Sequence, residues 1–337
     1  MKIAFLYNVR HLYPDPNNPA SQLETDFDDS ETIEWMVKHF QNCGFDILQV
    51  EADEKAYLTL YEHRGEIDLA FNYSEGIYGK NKYAHLPATL EMLQIPFTGS
   101  DAFTQALVLN KPKAKEVLLA NNIPTLPFQV FITGKEPLKP DFKYPLIVKP
   151  SAQGSSAGIT NASVVKNEAS LRQQLKVIID SFKQPVMVEP FLTGREFSIA
   201  LLGNPPKTLP IIEADHSVLP KEYLPMDSLE VKWILEEKNK DIAHLICPAK
   251  IEANLTPKLI DICLKTWEVL GVRDYCRIDL RCDNNGNPYV LDINSPAGLI
   301  PPEVSMTSYF PLAARAANID YEQLLQKIIS SALARYQ

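Results

Sequence analysis

The stretch YCRIDLRCDNNGNPYVLDIN, residues 275–294, consists of two apolar segments on either side of a polar turn. Asp, Asn and Gly at 283–286 are the residue types that tight turns favour, so they predict a hairpin. The flanking segments, residues 275–281 and 289–293, are rich in apolar, aromatic and alternating residues and are predicted as strands. We therefore expect an antiparallel pair with polar side chains on one face.

Four polar side chains of this hairpin suggest a metal site. Alternation places Arg277 and Asp279 on one face of the first strand, and Asp292 and Asn294 on one face of the second. Carboxylates paired across a hairpin repel each other in a dry site, so a cation is needed to hold them together. Oxygen ligands beside a phosphate suit Mg²⁺. Polar residues on a solvated sheet face are the alternative.

The segment KPSAQGSSAG, residues 149–158, follows an apolar strand at 146–148. Its small residues and glycines allow backbone N–H groups to close around anionic oxygens, and Lys149 at the strand end can reach a phosphate. The order of residues is not that of a Walker loop, and an ordinary Gly/Ser hairpin is the alternative. The segment favours a loop that covers phosphate.

The segment VEPFLTGREF, residues 188–197, offers groups that suit a nucleoside. Glu189 leaves a strand and can accept from an exocyclic amine, an apolar neighbour can pack on a purine, and Glu196 can hold a ribose diol. Two solvent-facing glutamates beside a turn glycine are the alternative.

The order of elements predicts an α/β first domain joined to an α+β region. Strands at 2–7, 45–50 and 67–71 alternate with a helix at 30–43, which is typical of a parallel sheet. Five prolines between 124 and 145 mark a loop-rich connection. Further on, we expect a polar helix and four more strands before a final helix. These are the helix 168–182, strands at 186–188, 196–202 and within the hairpin, and the helix 321–336.

Composition excludes several classes of protein. The 337 residues carry a formal charge of −9, which argues against nucleic acid as a partner because phosphate binding needs a basic surface. No apolar run reaches the roughly 20 residues of a membrane helix, and the first apolar run ends at Asn8, too early for a secretory signal. The five cysteines include no C-x-x-C pair. We expect a cytoplasmic protein without a membrane partner.

These motifs together resemble the ATP-grasp fold and, within it, the D-alanine–D-alanine ligase superfamily, over nearly the whole chain. The stretch LPATLEMLQIPFTGS, residues 86–100, also has a counterpart in that family. The resemblance implies a Rossmann-like, substrate-binding domain over 1–105. It further implies a central ATP-grasp subdomain with the covering loop over 106–190 and a C-terminal subdomain with the metal site over 191–337.

The resemblance also implies roles for matching residues. The nucleotide contacts fall on Lys111, Lys149, Ser155, Ser156, Glu189, Leu192, Glu196 and Lys232. The metal ligands fall on Asp279, Asp292 and Asn294, for two Mg²⁺ ions with Mn²⁺ as an alternative. The catalytic set comprises Arg277, Ser155 and a backbone N–H near Gly298, and the carboxylate-binding pair is Ser308 and Tyr309.

The substrate half departs from the family pattern. The loop after the first strand is long and acidic at 24–29, Trp233 stands where the family has a tyrosine, and residues 300–307 are extra. Because the family's amine-holding glutamate has no match, Glu75 is our hypothesis for a catalytic-site residue that holds a substrate ammonium group. A surface glutamate that caps a turn is the alternative.

The resemblance implies a two-step ligation. ATP phosphorylates a substrate carboxylate, and an amine then attacks the acyl phosphate and releases phosphate. We expect a carboxylate–amine ligase that joins two amino acids, or an amino acid and a small carboxylate, and works as a homodimer. The alternatives are an authentic D-alanine–D-alanine ligase of cell-wall synthesis, an ATP-binding protein without ligation, and a kinase of the same fold.

Overall fold

The computed structural model describes residues 1–235 and 244–337. Three short strands near the N-terminus form a parallel sheet with the order β2-β1-β3, which confirms the prediction for this region. These elements are β1 (Lys2–Tyr7), α1 (Ser30–Asn42), β2 (Asp46–Glu51), α2 (Ala56–His63), β3 (Leu69–Asn72) and α3 (His85–Leu93). The α1 helix buries Ile33, Met36 and Phe40 at helical spacing and ends before Gly44, whose φ of +80° suits the turn.

Two consecutive helices lead from the first sheet into a second one. They are α4 (Ala102–Leu109) and α5 (Lys111–Ala120). The second sheet is antiparallel, with the order β4-β7-β5-β6, and α6 packs on it. Its elements are β4 (Gln129–Phe131), β5 (Leu146–Pro150), β6 (Val164–Val165), α6 (Glu168–Phe182) and β7 (Val186–Pro190). The strands at 146 and 186 and the polar helix between them lie where the sequence predicts them.

The third sheet contains the hairpin predicted for residues 275–294. Its order is β11-β10-β8-β12-β13, and β9 pairs with β8. The strands are β8 (Glu196–Leu202), β9 (Lys207–Thr208), β10 (Ile212–Ala214), β11 (Leu245–Ile246), β12 (Tyr275–Cys282) and β13 (Pro288–Asn294). The helices are a π-helical turn (Val231–Leu235), α7 (Thr256–Leu270), α8 (Tyr309–Ala316) and α9 (Tyr321–Leu333), and short 3₁₀ turns cover Pro19–Gln22, Lys82–Ala84, Asn161–Ser163 and His216–Val218.

The core links the two ends of the chain. Phe5 and Phe40 of the first sheet layer belong to the same buried cluster as Tyr275 and Phe310. The C-terminal helices therefore cover one face of the N-terminal sheet. None of the helices within 1–235 and 244–337 is long and apolar enough to cross a membrane.

The buried face of α7 largely follows the apolar stripe that the sequence predicts, which consists of Ile260, Cys263, Leu264, Trp267 and Leu270. Cys263, Trp267 and Leu270 are buried, whereas Leu264 is 36% exposed. Leu259 and Ile262 are also buried, because the packing partners of the helix, which the helical period does not specify, set the width of the buried face.

Candidate active site

A cavity of about 850 Å³ is lined by residues from all three sheets. Every residue predicted for nucleotide, metal, substrate or catalysis lines it. They are Glu75, Lys111, Lys149, Ser155, Ser156, Glu189, Leu192, Glu196, Lys232, Arg277, Asp279, Asp292, Asn294, Gly298, Ser308 and Tyr309. The fold thus gathers these residues from distant parts of the chain, although lining a cavity does not by itself assign a role.

The hairpin sets Asp279 directly opposite Asp292 and Arg277 opposite Asn294. Arg277 donates to both oxygens of Asp279, from Nε at 2.9 Å and from Nη2 at 3.0 Å. Asn294 Nδ2 donates to Asp279 Oδ2 at 2.8 Å, and Ser198 Oγ donates to Oδ1 at 2.6 Å. Although burial opposes the charged form, Asp279 raises the pKa of Arg277 above its ordinary value. Asp279 is therefore a carboxylate held by three donors.

A β-bulge decides this pairing. The register shifts between Asp279 and Leu280, because Leu280 pairs with Val290 while Asp279 pairs with Asp292. Leu291 is thus the extra residue of β13, and it lines the cavity. Bulges of this kind reorient side chains beside active sites.

The start of α5 supplies a cation to the second carboxylate. Lys111 Nζ lies 2.6 Å from Asp292 Oδ2, and the lysine is 8% exposed. Asn110 caps the helix by accepting from Lys113 N through its side chain, which fixes where the first turn begins. The two hairpin acids are thereby held on one face by a lysine and an arginine.

A second charge cluster lies on the second sheet. The Glu189 carboxylate is fully buried and pairs with Lys149 at 2.6 Å and with Lys115 at 2.9 Å. Burial alone raises the pKa of such a carboxyl, but the two ammonium groups hold the pKa of Glu189 at about 2. The oxygens predicted to accept from an exocyclic amine are therefore already paired with protein cations.

The group predicted for the ribose also has a protein partner. Arg281 Nη1 lies 3.0 Å from Glu196 Oε2, and its guanidinium lies 5.6 Å from the centre of the Phe191 ring. Phe191 and Leu192 both line the cavity. Two apolar side chains and one carboxylate thus lie together on this wall, as the segment 188–197 predicts.

The covering loop, residues 151–158, is hydrogen-bonded to two distant segments of the chain, near Gln22 and near Asp227. Ser156 Oγ donates to the Asp227 carbonyl at 2.7 Å, and Gly158 N donates to Gln22 Oε1 at 2.8 Å. Ser155 and Ser156 have φ of 45° and 61°, a backbone conformation that is uncommon outside glycine. Such strained backbone is concentrated at functional sites.

One part of the cavity lining is acidic. Asp26 is paired with Lys82 at 3.1 Å, with only 1% of its side chain exposed, and Asp28 is also buried. Burial and the neighbouring Asp26 raise the pKa of Glu75 well above its ordinary value. Within the described residues, the buried Oε2 of Glu75 has no hydrogen-bond partner. These acids form the wall that we call the acidic end: Asp26, Asp28 and Glu75.

Tyr309 is fixed by a carboxylate that the sequence analysis does not identify. Its hydroxyl donates to Asp227 Oδ2, and its ring lies under the Arg277 guanidinium, 4.8 Å from the centroid. His216 Nε2 lies 2.9 Å from Asp227 Oδ1. Although burial opposes ionisation, hydrogen bonds from His216 and His244 keep the pKa of Asp227 well below its ordinary value. His216 is therefore part of this network.

Two further predicted positions are Lys232, whose charge also lowers the pKa of Asp227, and Gly298. Lys232 lies in the π-helical turn and its backbone N donates to Ser228 O at 3.0 Å. Next to it, the Trp233 ring lies 4.2 Å from the Arg10 guanidinium. Gly298 precedes Leu299, whose N–H donates to the Tyr73 hydroxyl at 3.0 Å.

Known proteins resemble this chain over most of its length. The family model for the C-terminal part of D-Ala–D-Ala ligases matches residues 117–330. A D-alanine–D-alanine ligase of Pelotomaculum thermopropionicum is 31% identical over 79% of this chain and 80% of its own. The chain belongs to the D-alanine–D-alanine ligase family. An uncharacterised protein of Sinorhizobium fredii is 34% identical over 96% of this chain and 92% of its own.

The fold of this ligase also matches a solved structure. The D-alanine–D-alanine ligase of Bacillus anthracis complexed with ATP superposes with a TM-score of 0.74 at 23% identity, over 99% of this chain and 98% of that one. The predicted ATP-grasp fold is confirmed. Family membership confirms the predicted class of enzyme, an ATP-dependent carboxylate–amine ligase of the D-alanine–D-alanine ligase type that acts on small molecules.

Three residues in or next to the ligase cavity are not predicted from the sequence. Ser198 and Asp227 line the cavity, and Lys115 lies behind Glu189. One signal was available for Lys115, since it follows Lys111 by four positions on one helix and shares its face. A signal was also available for Ser198, which lies two residues after Glu196 on the strand 196–202 and so shares its face. No local pattern marks Asp227, because long-range packing alone brings it to the site.

Proposed function

We propose that this ligase uses ATP to activate the carboxylate of one amino acid or small acid and joins it to an amine, with a substrate ammonium group bound at the acidic end. One observation carries the proposal. The same cavity contains the hairpin acids with Arg277 at one place and the buried carboxyl of Glu75 at another. A carboxylate, a nucleotide and an amine therefore all have complementary groups in one space.

We infer that Asp279, Asp292 and Asn294 hold Mg²⁺. The donor set fits, because all three offer oxygens and both acids lie on one strand face, kept together by Lys111 and Arg277. In the part of the chain that the structure describes, no group of three His, Cys, Asp or Glu residues is arranged for a metal. A site of two carboxylates and one amide suits Mg²⁺, which also takes phosphate and water as ligands. When bound, the metal supplies a counter-charge for the phosphates.

The nucleotide is assigned to the wall between the second and third sheets. Lys111 and Lys149 are cations near the hairpin and the covering loop, and both line the cavity. Leu192 and Phe191 offer an apolar surface for the base, and Glu196 offers an acceptor for the ribose. Backbone N–H groups around Ser155 and Ser156 suit phosphate oxygens, because successive amides in such a conformation form an anion-binding concavity.

The chemical step depends on charge and on exclusion of water. Attack of the amine on the acyl carbon develops an oxyanion, which Arg277 and the backbone N–H of Gly298 itself can stabilise, since the Leu299 N–H already donates to the Tyr73 hydroxyl. Ser308 and Tyr309 are assigned to a substrate carboxylate, next to Arg277. The covering loop keeps water from the acyl phosphate, because it is anchored to Gln22 and Asp227 over the cavity.

The experiment is phosphate release from Mg·ATP across single and paired amino acids, D and L, with mass detection of the coupled product. We expect phosphate and amide in equal amounts for at least one pair that is not two D-alanines. Phosphate release without amide, or a stable phosphorylated product, would contradict the ligase proposal. ATP binding without turnover across the panel would support an ATP-binding protein instead.

The second candidate is an authentic D-alanine–D-alanine ligase. It is favoured by relatives that are D-alanine–D-alanine ligases, including one of Carboxydothermus hydrogenoformans that is 30% identical over 85% of this chain and 87% of its own. Against it stand the acidic loop 24–29 and Trp233, which alter the substrate half. Product from D-alanine alone, at a rate above every other pair, decides for this candidate.

Three further predictions accompany the proposed function. We propose a homodimer, which sedimentation equilibrium at micromolar concentration tests. We propose a cytoplasmic location, which fractionation of the source cells tests. We also propose that the domain limits are 1–105, 106–190 and 191–337, and limited proteolysis that cuts near residues 105 and 190 would support those limits.

A further inference from the structure

The Lys115 side chain is a buried cation whose ammonium group pairs with a wall residue of the nucleotide site. It lies one helical turn after Lys111 on α5, and 2% of its side chain is exposed. Its ammonium donates to Thr125 Oγ1 at 2.8 Å and pairs with Glu189 Oε2 at 2.9 Å. Lys115 is not among the residues that line the cavity. Lys115 therefore acts on a ligand without touching it, and Glu189 is the charged group with which it pairs.

Glu189 connects Lys115 to a lysine that does face the cavity. Glu189 lies opposite Ile147 in the β5–β7 ladder, so Lys149, two residues after Ile147, shares its face. Lys149 Nζ lies 2.6 Å from Glu189 Oε1, and 12% of the Lys149 side chain is exposed. The order from the core to the cavity is therefore lysine, carboxylate, lysine.

The charges of Lys115, Glu189 and Lys149, which we call the trio, decide what Lys149 can bind. A carboxylate paired with Lys149 alone would form a neutral pair, and in a poorly screened interior it would hold the ammonium tightly. With Lys115 on its other oxygen, the carboxylate is shared and the trio carries a net charge of one positive unit. That unit is available on the cavity side, where Lys149 is exposed.

We propose that Lys115 is a positioning residue for the nucleotide phosphates, because by sharing the Glu189 carboxylate it leaves a net positive charge at the Lys149 ammonium, which can bind a phosphate oxygen. The proposal rests on the proposed function, which assigns the nucleotide to this wall. It concerns charge balance and is distinct from the adenine contact predicted for the Glu189 carboxylate, which stays a prediction.

The experiment compares Lys115→Met with a double variant, Lys115→Met/Glu189→Gln, in the full-length protein. We expect Lys115→Met to raise the Kd for Mg·ATP, measured by calorimetry, at least tenfold, and to raise the KM for ATP similarly. The KM for the amine-bearing substrate should change less than twofold. In the double variant no carboxylate competes for Lys149, so the Kd should return to within about threefold of wild type.

A structural role for Lys115 makes a different prediction. Loss of packing would lower the unfolding temperature of both variants and would not be repaired by Glu189→Gln. A double variant that is folded but binds Mg·ATP no better than Lys115→Met would overturn the proposal. So would a Lys115→Met protein with unchanged affinity. Lys113→Met is the matched control, because Lys113 lies on the same helix with 62% of its side chain exposed.

A third variant covers the case in which Lys115→Met does not fold. With Lys115 intact, Glu189→Gln should bind Mg·ATP no more than threefold more weakly than wild type, because both cations remain. A tenfold loss would contradict the proposal and favour a direct contact between Glu189 and the base. Failure of wild-type protein to bind Mg·ATP would instead refute the proposed function itself, so the two failures are distinguishable.

Discussion

A substitution at Glu75 tests whether the acidic end binds a substrate ammonium group. Its pKa is raised by burial first and then by Asp26, so a bound ammonium group would favour its ionised form. We expect Glu75→Gln to raise the KM for the amine-bearing substrate at least tenfold and to leave the KM for ATP within twofold. In wild type that KM should fall as pH rises through the raised pKa, and the variant should lack this dependence.

The matched control is Glu91→Gln, an exposed glutamate on α3. Initial rates at saturating ATP, measured between pH 5 and 8, separate the two effects. An unchanged KM for the amine-bearing substrate in Glu75→Gln would remove Glu75 from the binding site.

Asp28 gives a second residue-scale prediction, on stability. Burial raises its pKa from 3.8 to about 6, against the opposing effects of Tyr73 and Arg10. Between these two values the folded protein keeps a proton that the unfolded chain has lost, so stability decreases as pH rises through this window. Once pH exceeds 6, the penalty is complete and amounts to about 3 kcal/mol.

Asp28→Asn should remove this penalty. From pH 5 to pH 7.5 we expect wild type to lose about 1–2 kcal/mol of unfolding free energy that the variant does not lose. Urea denaturation at the two pH values measures the unfolding free energy of both proteins. Subtracting the change in the variant from the change in wild type cancels the contribution of other ionisable groups. Equal pH dependence in both proteins would show that Asp28 ionises normally.

At the scale of elements, the covering loop packs closely on the first domain. A Cβ at Gly154 would lie 2.3 Å from Asp26 Oδ1 and 2.9 Å from the Tyr83 hydroxyl. Gly154→Ala should therefore displace the loop and admit water to the acyl phosphate. We expect kcat for amide formation to fall more than tenfold and the ratio of phosphate to amide to rise above one.

The control for the loop variant is Gly65→Ala, where a Cβ meets no atom within 4 Å and φ is not positive. Phosphate and amide are measured in the same reaction. A Gly154→Ala protein with a ratio of one and normal kcat would show that the loop does not need this close contact.

The elements themselves follow largely from local sequence. The polar helix 168–182 and strand 196–202 have the limits that periodicity predicts, because caps and turn residues mark their ends. The final helix ends at Leu333, three residues before the predicted limit of 336. Beyond Leu333 the chain continues in tighter turns, in which Arg335 N donates to Ala332 O and Tyr336 N donates to Leu333 O.

At the scale of the whole molecule, a buried ion pair ties the C-terminus to the first domain. Asp274 is fully buried and accepts from Arg335 at 2.7 Å, and also from Gly99 N at 2.7 Å. Arg335 donates in turn to the Phe97 carbonyl at 2.7 Å. We expect Arg335→Leu to lower the unfolding free energy by about 3–5 kcal/mol, because it leaves a buried carboxylate without its partner.

Urea denaturation followed by circular dichroism measures this change, with Arg64→Leu, an exposed arginine, as the control. A loss below about 1 kcal/mol would show that the pair contributes little beyond its surroundings.

Period, turn chemistry and local motifs are enough to place the main strands and helices, and the family resemblance that the motifs carry gives the class of ligase and part of the cavity lining. The pairing of those residues depends on the fold. The bulge at Leu291 places Asp279 opposite Asp292, whereas a regular ladder continued from Leu280 and Val290 would place Leu291 there. Likewise Lys115 meets Glu189 through contacts between distant segments, which no local pattern encodes.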